Sequence, residues 1–323
     1  MRRRTLLGLA AGAAATRPFA AVAQPRVYRI AFLSLEQGED ISPLTRALRD
    51  LGYVDGTNLS VLYRSAGGDP ARLAALAAEL VQARPDVLVA GWGTLAPKAL
   101  KEATATLPIV FSTVGDPVGA GLVQSLARPG GNITGLSGQS TEFKSKQLQL
   151  LLSVVPGQKR IGVVMNPDTP YTALAFKELS AAADRVDVAL ERLEMRKRED
   201  FTAARLEALV AAGATSLFIL EDPLTGALKG TIVAEAIRLR LPIMTGLEDF
   251  AHAGALMTYG SSQERRYRQT AGYIDRILKG ARPGSLPVEQ PTTFQLVVNL
   301  KAAKAIGVVV PQSVLAIADE VIE

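Results

Sequence analysis

The sequence predicts an α/β protein made of two Rossmann-like lobes, each built around a mostly parallel sheet. The chain has 323 residues, which exceeds one small core and suits two domains of ordinary size. Apolar runs of strand length alternate with longer segments that repeat at the helical period. The strand-length runs are apolar throughout rather than alternating, which is typical of parallel strands covered on both faces.

The first series of elements occupies the N-terminal part of the chain. Its first helix carries Leu44 and Leu48 on one face and is ended by Gly52. Asp69 and Pro70 are the residue types of a helix cap followed by a first-turn proline. The series comprises strands at 28–33, 58–63, 86–90 and 108–112, and helices at 43–51, 71–82 and 96–105.

A second series with the same alternation begins at Arg160, and two such series of similar length indicate two lobes. We expect lobe 1 to contain 27–137 plus about 260–288, and lobe 2 to contain 138–259 plus about 289–323. The second series comprises strands at 160–165, 189–194, 216–220, 241–245 and 255–259, helices at 171–185, 201–212, 225–240 and 263–279, a loop at 280–291, a strand at 294–299 and a short last helix.

Residues 1–23 have the pattern of an export signal peptide. Three arginines at 2–4 precede a short apolar stretch, and residues 21–23 supply a small-x-small cleavage site. Residues 3–7, Arg-Arg-Thr-Leu-Leu, are similar to the twin-arginine export pattern, and an ordinary secretory signal is the alternative. We therefore expect a periplasmic protein.

Residue composition excludes several kinds of chemistry. The chain contains no cysteine, which excludes disulfides, thiolate metal sites and a cysteine nucleophile. Its one histidine, His252, has no Gly-x-Ser-x-Gly motif to accompany it. We therefore expect no catalytic residues and interpret His252 as a surface side chain.

Most of the net positive charge of the chain comes from its first residues. Lysine and arginine number 36 against 31 acidic residues, a formal net charge of +5. Four of the arginines lie within residues 1–23, so the rest of the chain has 32 basic against 31 acidic residues. This balance favours no nucleic-acid partner.

Neither a cofactor nor a metal is predicted. Residues 91–93, Gly-Trp-Gly, match a dinucleotide fingerprint weakly, because Ala96 takes the place of its third glycine and Ser112 ends the next strand where an acid is needed. The acid pairs at 221–222 and 248–249 could hold a divalent metal. Adjacent loop carboxylates more often cap helices or face water, which is the interpretation we prefer.

Ligands of open parallel sheets bind beyond the carboxyl ends of the strands. Hydroxyl, amide and acid groups follow the predicted strands and cations are scarce there, which suits a small zwitterion. Thr94 and the helix N-terminus behind it would bind a carboxylate, and Glu221 or Asp222 an ammonium group. The arginine-rich run 264–268 is interpreted as a solvated helix face. The candidate ligand-binding residues are Ser34, Trp92, Thr94, Thr113, Asp116, Asn166, Glu221, Asp222 and Tyr259.

The stretch 115–135, GDPVGAGLVQSLARPGGNITG, is long and distinctive. It resembles the family of periplasmic ABC-transporter substrate-binding proteins related to tryptophan- and tyrosine-type binding proteins. The match covers nearly the whole chain after the signal. Further segments agree in the same order: LGYVDGTN at 51–58, PIVF at 108–111, GALMTYG at 254–260, ILKG at 277–280, LPVEQPT at 286–292 and NLKAA at 299–303.

This resemblance implies the type I periplasmic binding protein fold, in which a ligand is enclosed between two lobes. It implies a monomer that performs no chemistry and delivers an amino acid or related carboxylate to a permease and an ATPase on separate chains. Ligands of characterised relatives are aromatic amino acids, and Trp92 would narrow the pocket or offer a stacking face. A ligand-sensing lobe for a separate signalling receptor and an α/β enzyme that uses paired acids are the alternatives.

Overall fold

The first of two sheets contains five parallel strands, in the order β2-β1-β3-β4-β5. The structure is a computed structural model that describes residues 26–138 and 143–323, so the predicted signal segment lies outside the described residues. The strands are β1 (Tyr28–Ser34), β2 (Leu59–Ser65), β3 (Val87–Ala90), β4 (Ile109–Val114) and β5 (Ile133–Ser137), with helices α1 (Ser42–Asp50), α2 (Leu73–Gln82) and α3 (Leu95–Ala103).

The second sheet contains seven strands, in the order β12-β11-β10-β9-β8-β6-β7. All neighbours are parallel except β10 and β11. Its strands are β6 (Arg160–Met165), β7 (Ala189–Glu194), β8 (Leu217–Ile219), β9 (Ile243–Thr245), β10 (Met257–Gly260), β11 (Gln295–Asn299) and β12 (Glu320–Ile322). The helices that follow α3 are α4 (Phe143–Val154), α5 (Pro170–Asp184), α6 (Ala203–Ala211), α7 (Pro223–Ala227), α8 (Lys229–Arg238), α9 (Glu248–Ala253), α10 (Gln263–Leu278), α11 (Leu300–Ile306) and α12 (Gln312–Leu315).

The chain passes between the two sheets three times. It leaves the first sheet after β5, returns after β10 so that α10 packs against α1 and β4, and leaves again to form β11. The last passage begins where Glu289 forms an isolated bridge with Leu136 of β5. We call the first sheet with α1–α3 and α10 lobe 1, and the second sheet with the remaining helices lobe 2.

The central strands of both sheets are buried on both faces, as their apolar runs predict. In β1, Ile30 and Phe32 belong to one hydrophobic cluster, and Ala31 and Leu33 belong to another on the opposite face. Strand β6 of lobe 2 divides its side chains between two clusters in the same way. The expected fold class, two lobes with mostly parallel sheets, is confirmed.

Several elements differ from the sequence prediction. One helix was expected at 225–240, but the chain forms α7 and α8 with a break at Leu228. No helix was predicted around His252, but the chain forms α9 there. Strand β5 was not predicted because Gly135 interrupts its pattern. Gly135 has φ of +155° and lies against the carbonyl oxygen of Phe111, so no side chain fits there.

Helix α4 was also not predicted. Its buried positions include Lys144 and Gln147, so the apolar stripe that marks a helix in a sequence is interrupted. Within residues 26–138 and 143–323, the helices are all too short or too polar to cross a lipid bilayer.

Candidate functional site

A cavity lies between the two lobes, at the carboxyl ends of the strands of both sheets. Together with the open solvent at its mouth, it encloses about 630 Å³ of space between the protein atoms. We call it the aromatic cavity. Its wall consists of Trp92, Gly93, Thr94, Thr113 and Gly115 of lobe 1, Thr169, Tyr171, Glu221, Pro223, Gly246 and Leu247 of lobe 2, and Gly138, Phe143, Ser261, Arg266, Pro291 and Phe294 on or beside the crossing segments.

The lobes touch each other around the aromatic cavity at glycines. A Cβ atom placed on Gly93 would lie 2.6 Å from Cγ of Pro223, on the opposite lobe. One placed on Gly226 would lie 2.8 Å from Cζ2 of Trp92. Real Cβ atoms do not approach other heavy atoms so closely, so the lobes meet in a closed arrangement that requires glycine at both positions.

The loop from β3 to α3 brings Trp92 and Thr94 to the cavity. Gly93 has φ of +94° and donates its N–H to the carbonyl of Thr113 at 2.9 Å, which ties this loop to β4. Thr94 then takes the N-cap position of α3, but its side chain does not cap the helix. The first N–H groups of α3 have no partner within the helix and lie beside the buried Thr94.

Aromatic rings form much of the cavity wall. Phe143 and Phe294 lie with ring centroids 5.0 Å apart, and the ring of Tyr259 packs behind both at 5.8 and 5.7 Å. Trp92 of lobe 1 and Tyr171 of lobe 2 contribute two more rings. Aromatic walls of this kind favour a flat, apolar ligand.

A buried ion pair forms the floor of the cavity on the lobe 2 side. Lys144 of α4, 1% exposed, pairs with Glu221, which follows β8. Gly246 donates its N–H to Glu221 Oε1 at 2.9 Å, and Gln147 Nε2 donates to the same oxygen at 3.3 Å. The hydroxyl of Tyr171 donates to Oε2 at 3.3 Å. The carboxylate therefore accepts from four donors.

Burial and mutual attraction act in opposite directions on the pKa values of the Lys144–Glu221 pair. Burial by itself would raise the pKa of Glu221, but the charge and hydrogen bond of Lys144 outweigh it and lower that pKa below the ordinary value. Burial lowers the pKa of Lys144, and Glu221 opposes this shift. The pair thus places a negative group at the cavity whose charge is already balanced from behind.

A second, acidic compartment lies on the other side of Trp92. Glu36 of lobe 1 and Asp249 and Lys229 of lobe 2 face it, together with the buried Glu39. The indole N–H of Trp92 donates to Glu36 Oε2 at 2.9 Å. Burial raises the pKa of Glu36 to about 7, with a smaller opposing effect from the Trp92 hydrogen bond. We call this space the acidic compartment.

Arg266 lines both spaces from the first turn of α10. The residue is half-buried, and its guanidinium forms no ion pair or hydrogen bond with any side chain in the part of the chain that the structure describes. The sequence predicted a solvated helix face at 264–268. Arg266 has other charged residues beside it in the chain, so the sequence did not show that its side chain points in a different direction from theirs. It is the positive group that sequence reasoning missed.

The structure brings four of the nine candidate residues to the wall of the aromatic cavity: Trp92, Thr94, Thr113 and Glu221. Asp222 lies behind the wall, where it caps α7 through Leu224 N–H at 2.9 Å and accepts the Thr169 hydroxyl at 2.6 Å. Asn166 donates to Asp222 at 3.3 Å, and Tyr259 supports the aromatic wall from behind.

Ser34 and Asp116 lie away from the cavity wall. Ser34 donates to the buried Glu39 at 2.5 Å, next to the acidic compartment. Asp116 accepts the N–H of Gly119 at 2.8 Å and stabilises the loop after β4. Their residue types matched a binding role, but their side chains complete local hydrogen bonds.

Phe143, Tyr171 and Phe294 were also missed by sequence analysis. Phe143 begins the unpredicted α4, and Phe294 lies at the edge of a predicted strand, where it was interpreted as part of the sheet. Tyr171 follows Pro170 at the start of α5, a position that marks a helix N-terminus. That helix start was the one available signal, because helices of α/β folds begin at the ligand edge.

One group of side chains in the described residues has the geometry to hold a metal. The ligand atoms of Glu248, His252 and Glu320 lie within 4.8 Å of one another. His252 and Glu320 are exposed, and none of the three lines the aromatic cavity. We assign the group no role in the site.

Comparison with known protein families gives a match over most of the chain. The model of the family described as ABC transporter substrate binding protein matches residues 37–322. The tyrosine-binding protein of Clostridioides difficile (strain R20291) is 26% identical over 264 residues, covering 81% of this chain and 74% of that protein.

Two solved structures are similar over 92% of this chain and the whole of theirs. A conserved domain protein from Vibrio cholerae is 30% identical with a TM-score of 0.84. An ABC domain from Streptococcus pneumoniae in complex with L-Trp is 25% identical, also with a TM-score of 0.84.

Proposed function

The chain belongs to the family of ABC transporter substrate binding proteins, and from this premise we propose that it is the periplasmic solute-binding component of an ABC importer. Its resemblance to that family, first noted in residues 115–135, is thereby confirmed. We propose a small amino-acid-like ligand, an aromatic amino acid or a related carboxylate, held between the two lobes in the aromatic cavity.

The observation that carries this proposal is the composition of the cavity wall. Aromatic rings from both lobes would enclose a flat ligand, and Arg266, which has no ion-pair partner among the described residues, lines the same space. Guanidinium groups bind carboxylates through two parallel hydrogen bonds. Thr94 and the N-terminus of α3 add donors to the same wall.

The relatives support an aromatic ligand. The curated relative from Clostridioides difficile is a tyrosine-binding protein, and the Streptococcus pneumoniae structure contains L-Trp. A ligand in this cavity would contact Trp92 and Thr94 of lobe 1 together with Tyr171 of lobe 2. The apolar ring of a ligand bound between these walls would displace water from both of them.

Ligand binding would act by a shift between open and closed arrangements of the lobes. A ligand that touches both lobes does so only in the closed arrangement, so its binding energy favours that arrangement. No bond in the ligand is made or broken. The closed protein would then deliver the ligand to a permease and an ATPase on separate chains, after export under the direction of residues 1–23.

The test is calorimetric titration of the exported protein with L-Trp, L-Tyr and L-Phe, compared with an Arg266→Ala variant. We expect Arg266→Ala to weaken binding about 10- to 100-fold, because a hydrogen bond to a charged group contributes about 1.5–3 kcal/mol.

The matched control is Arg268→Ala, two residues along the same helix. The Arg268 side chain is 70% exposed and pairs with Glu264, so its removal leaves affinity unchanged. Equal affinity of the Arg266→Ala and Arg268→Ala variants would contradict the proposed role of Arg266.

A further inference from the structure

The charged side chains that line the aromatic cavity differ in how available they are to a ligand. Among the lining residues that belong to 26–138 and 143–323, Glu221 and Arg266 are the two whose side chains are charged. A zwitterionic ligand needs both an anion and a cation from the wall, and these two groups are not equally available to it.

Glu221 has no capacity left for a ligand. A carboxylate offers about four lone-pair positions, and those of Glu221 are taken by Lys144, Gln147, Tyr171 and Gly246 N–H. The charge is balanced by Lys144, which is 1% exposed and cannot turn away into water. An ammonium group at Glu221 would have to displace one of these donors and leave it unpaired.

Arg266, in contrast, has all its side-chain donors available in the part of the chain that the structure describes. A guanidinium carries five N–H donors and no acceptor. No acid in the described residues lies within ion-pair distance of Arg266, although the charges of Arg266 and Glu39 attract each other at longer range. The Thr94 hydroxyl and the N-terminus of α3 also favour negative charge. Among the described residues, the cavity therefore holds one free positive group and no free negative one.

We infer that the cavity recognises its ligand by the carboxylate and the aromatic ring, so that aromatic carboxylates without an α-amino group bind to the same site. The inference rests on the proposed function. A buried ammonium without a carboxylate partner loses its hydration without compensation, whereas a ligand that lacks the amino group pays no such cost.

Glu36 is the alternative partner for an ammonium group. It lies in the acidic compartment, and its Oε2 already accepts the indole N–H of Trp92. It does not line the aromatic cavity, so a ligand whose ring lies among Phe143, Tyr171 and Phe294 would have to reach it past the indole. A Glu36→Gln variant therefore separates the two possibilities.

The test compares ligands that differ by one group. The exported protein is titrated by calorimetry with L-Trp and 3-indolepropionate, with L-Phe and 3-phenylpropionate, and with tryptamine. We expect each acid without an amino group to bind as tightly as its parent amino acid, within threefold, or more tightly. Tryptamine, which lacks the carboxylate, should bind at least 100-fold more weakly, and Arg266→Ala should weaken 3-indolepropionate about 10- to 100-fold.

Two results would overturn the inference and leave the proposed function standing. One is binding of L-Trp and L-Phe more than threefold tighter than their counterparts without the amino group. The other is a loss of L-Trp affinity of tenfold or more in Glu36→Gln, which would place the ammonium in the acidic compartment. If none of these compounds binds, both the inference and the aromatic ligand proposed above are wrong.

Discussion

Close contact between the lobes depends on single glycines, of which Gly226 is the most directly testable. It lies buried in α7, and a Cβ atom there would collide with the Trp92 ring of the opposite lobe. Gly226→Ala should therefore hinder closure and weaken ligand binding about tenfold, which corresponds to about 1.4 kcal/mol. Within α7 itself alanine is more favourable than glycine, so the unliganded protein should not be destabilised.

Gly230→Ala is the matched control for Gly226→Ala. Gly230 lies in α8, with no heavy atom within 4 Å of the position of a Cβ atom. The substitution should raise stability by about 0.5–1 kcal/mol and leave affinity unchanged. Calorimetric titration and urea unfolding of both variants measure the two effects. Wild-type affinity in Gly226→Ala would show that closure does not require this contact.

The directions in which neighbouring side chains of the site point could not be predicted from the sequence. Glu221 and Asp222 are neighbours with the same chemistry, and the strand-end rule places both at the ligand edge. The chain turns between them, so that Glu221 faces the cavity while Asp222 caps α7 from behind the wall. The direction of a side chain in a loop depends on local hydrogen bonds that no residue spacing reveals.

The Lys144–Glu221 pair joins helix α4 to the end of strand β8. Removing one partner of a buried ion pair leaves the other charge uncompensated, which costs about 3–5 kcal/mol. Lys144→Met should therefore lower the free energy of unfolding by about that amount, as measured by urea denaturation. The double variant Lys144→Met with Glu221→Gln should recover much of the loss, because no buried charge remains.

Lys159→Met is the control for this prediction. Lys159 pairs with Asp187 on the surface, where its side chain is 74% exposed, and the loss of an exposed pair should leave stability unchanged. Destabilisation by Lys144→Met no larger than that of Lys159→Met would contradict the structural role of the buried pair.

Helices and strands were predicted correctly where residues close together in the sequence determine them. Strands 160–165 and 189–194 were predicted with the bounds that the structure has. Helix α4 was not predicted, because Lys144 and Gln147 point inward to partners that only the folded protein brings near. The unpredicted helix carries Phe143 and Lys144, so these two members of the site were missed for the same reason as the helix itself.

Closure of the whole molecule should depend on pH through Glu36. Elements of both lobes surround this carboxyl group, with Glu39 and Trp92 on one side and Asp249 and Lys229 on the other. Burial is the main reason that its pKa rises from 4.5 to about 7 in the closed arrangement. In an open arrangement water reaches Glu36, and its pKa returns towards the ordinary value.

The sign of the pH effect follows from this difference. The closed arrangement has the higher pKa, so closure takes up a proton and is favoured below pH 7. Ligand affinity should rise up to about tenfold as pH falls from about 8 to 6, since each unit of pKa difference corresponds to 1.36 kcal/mol. Titrations at both pH values measure it, and Glu36→Gln should abolish the dependence. An affinity that rises with pH would contradict this account.

An aromatic carboxylate bound between the lobes would contact Trp92 and Arg266. Trp92 is the one tryptophan of the 323-residue sequence, so its fluorescence reports on the cavity directly. The decisive measurement is titration of the exported protein with 3-phenylpropionate and L-Phe, which lack indole, while Trp92 emission is recorded. We expect a saturable change with at least one of them that shifts to about 10- to 100-fold higher concentration in Arg266→Ala and not in Arg268→Ala. Emission that stays constant for both ligands, or saturates equally in the two variants, would contradict it.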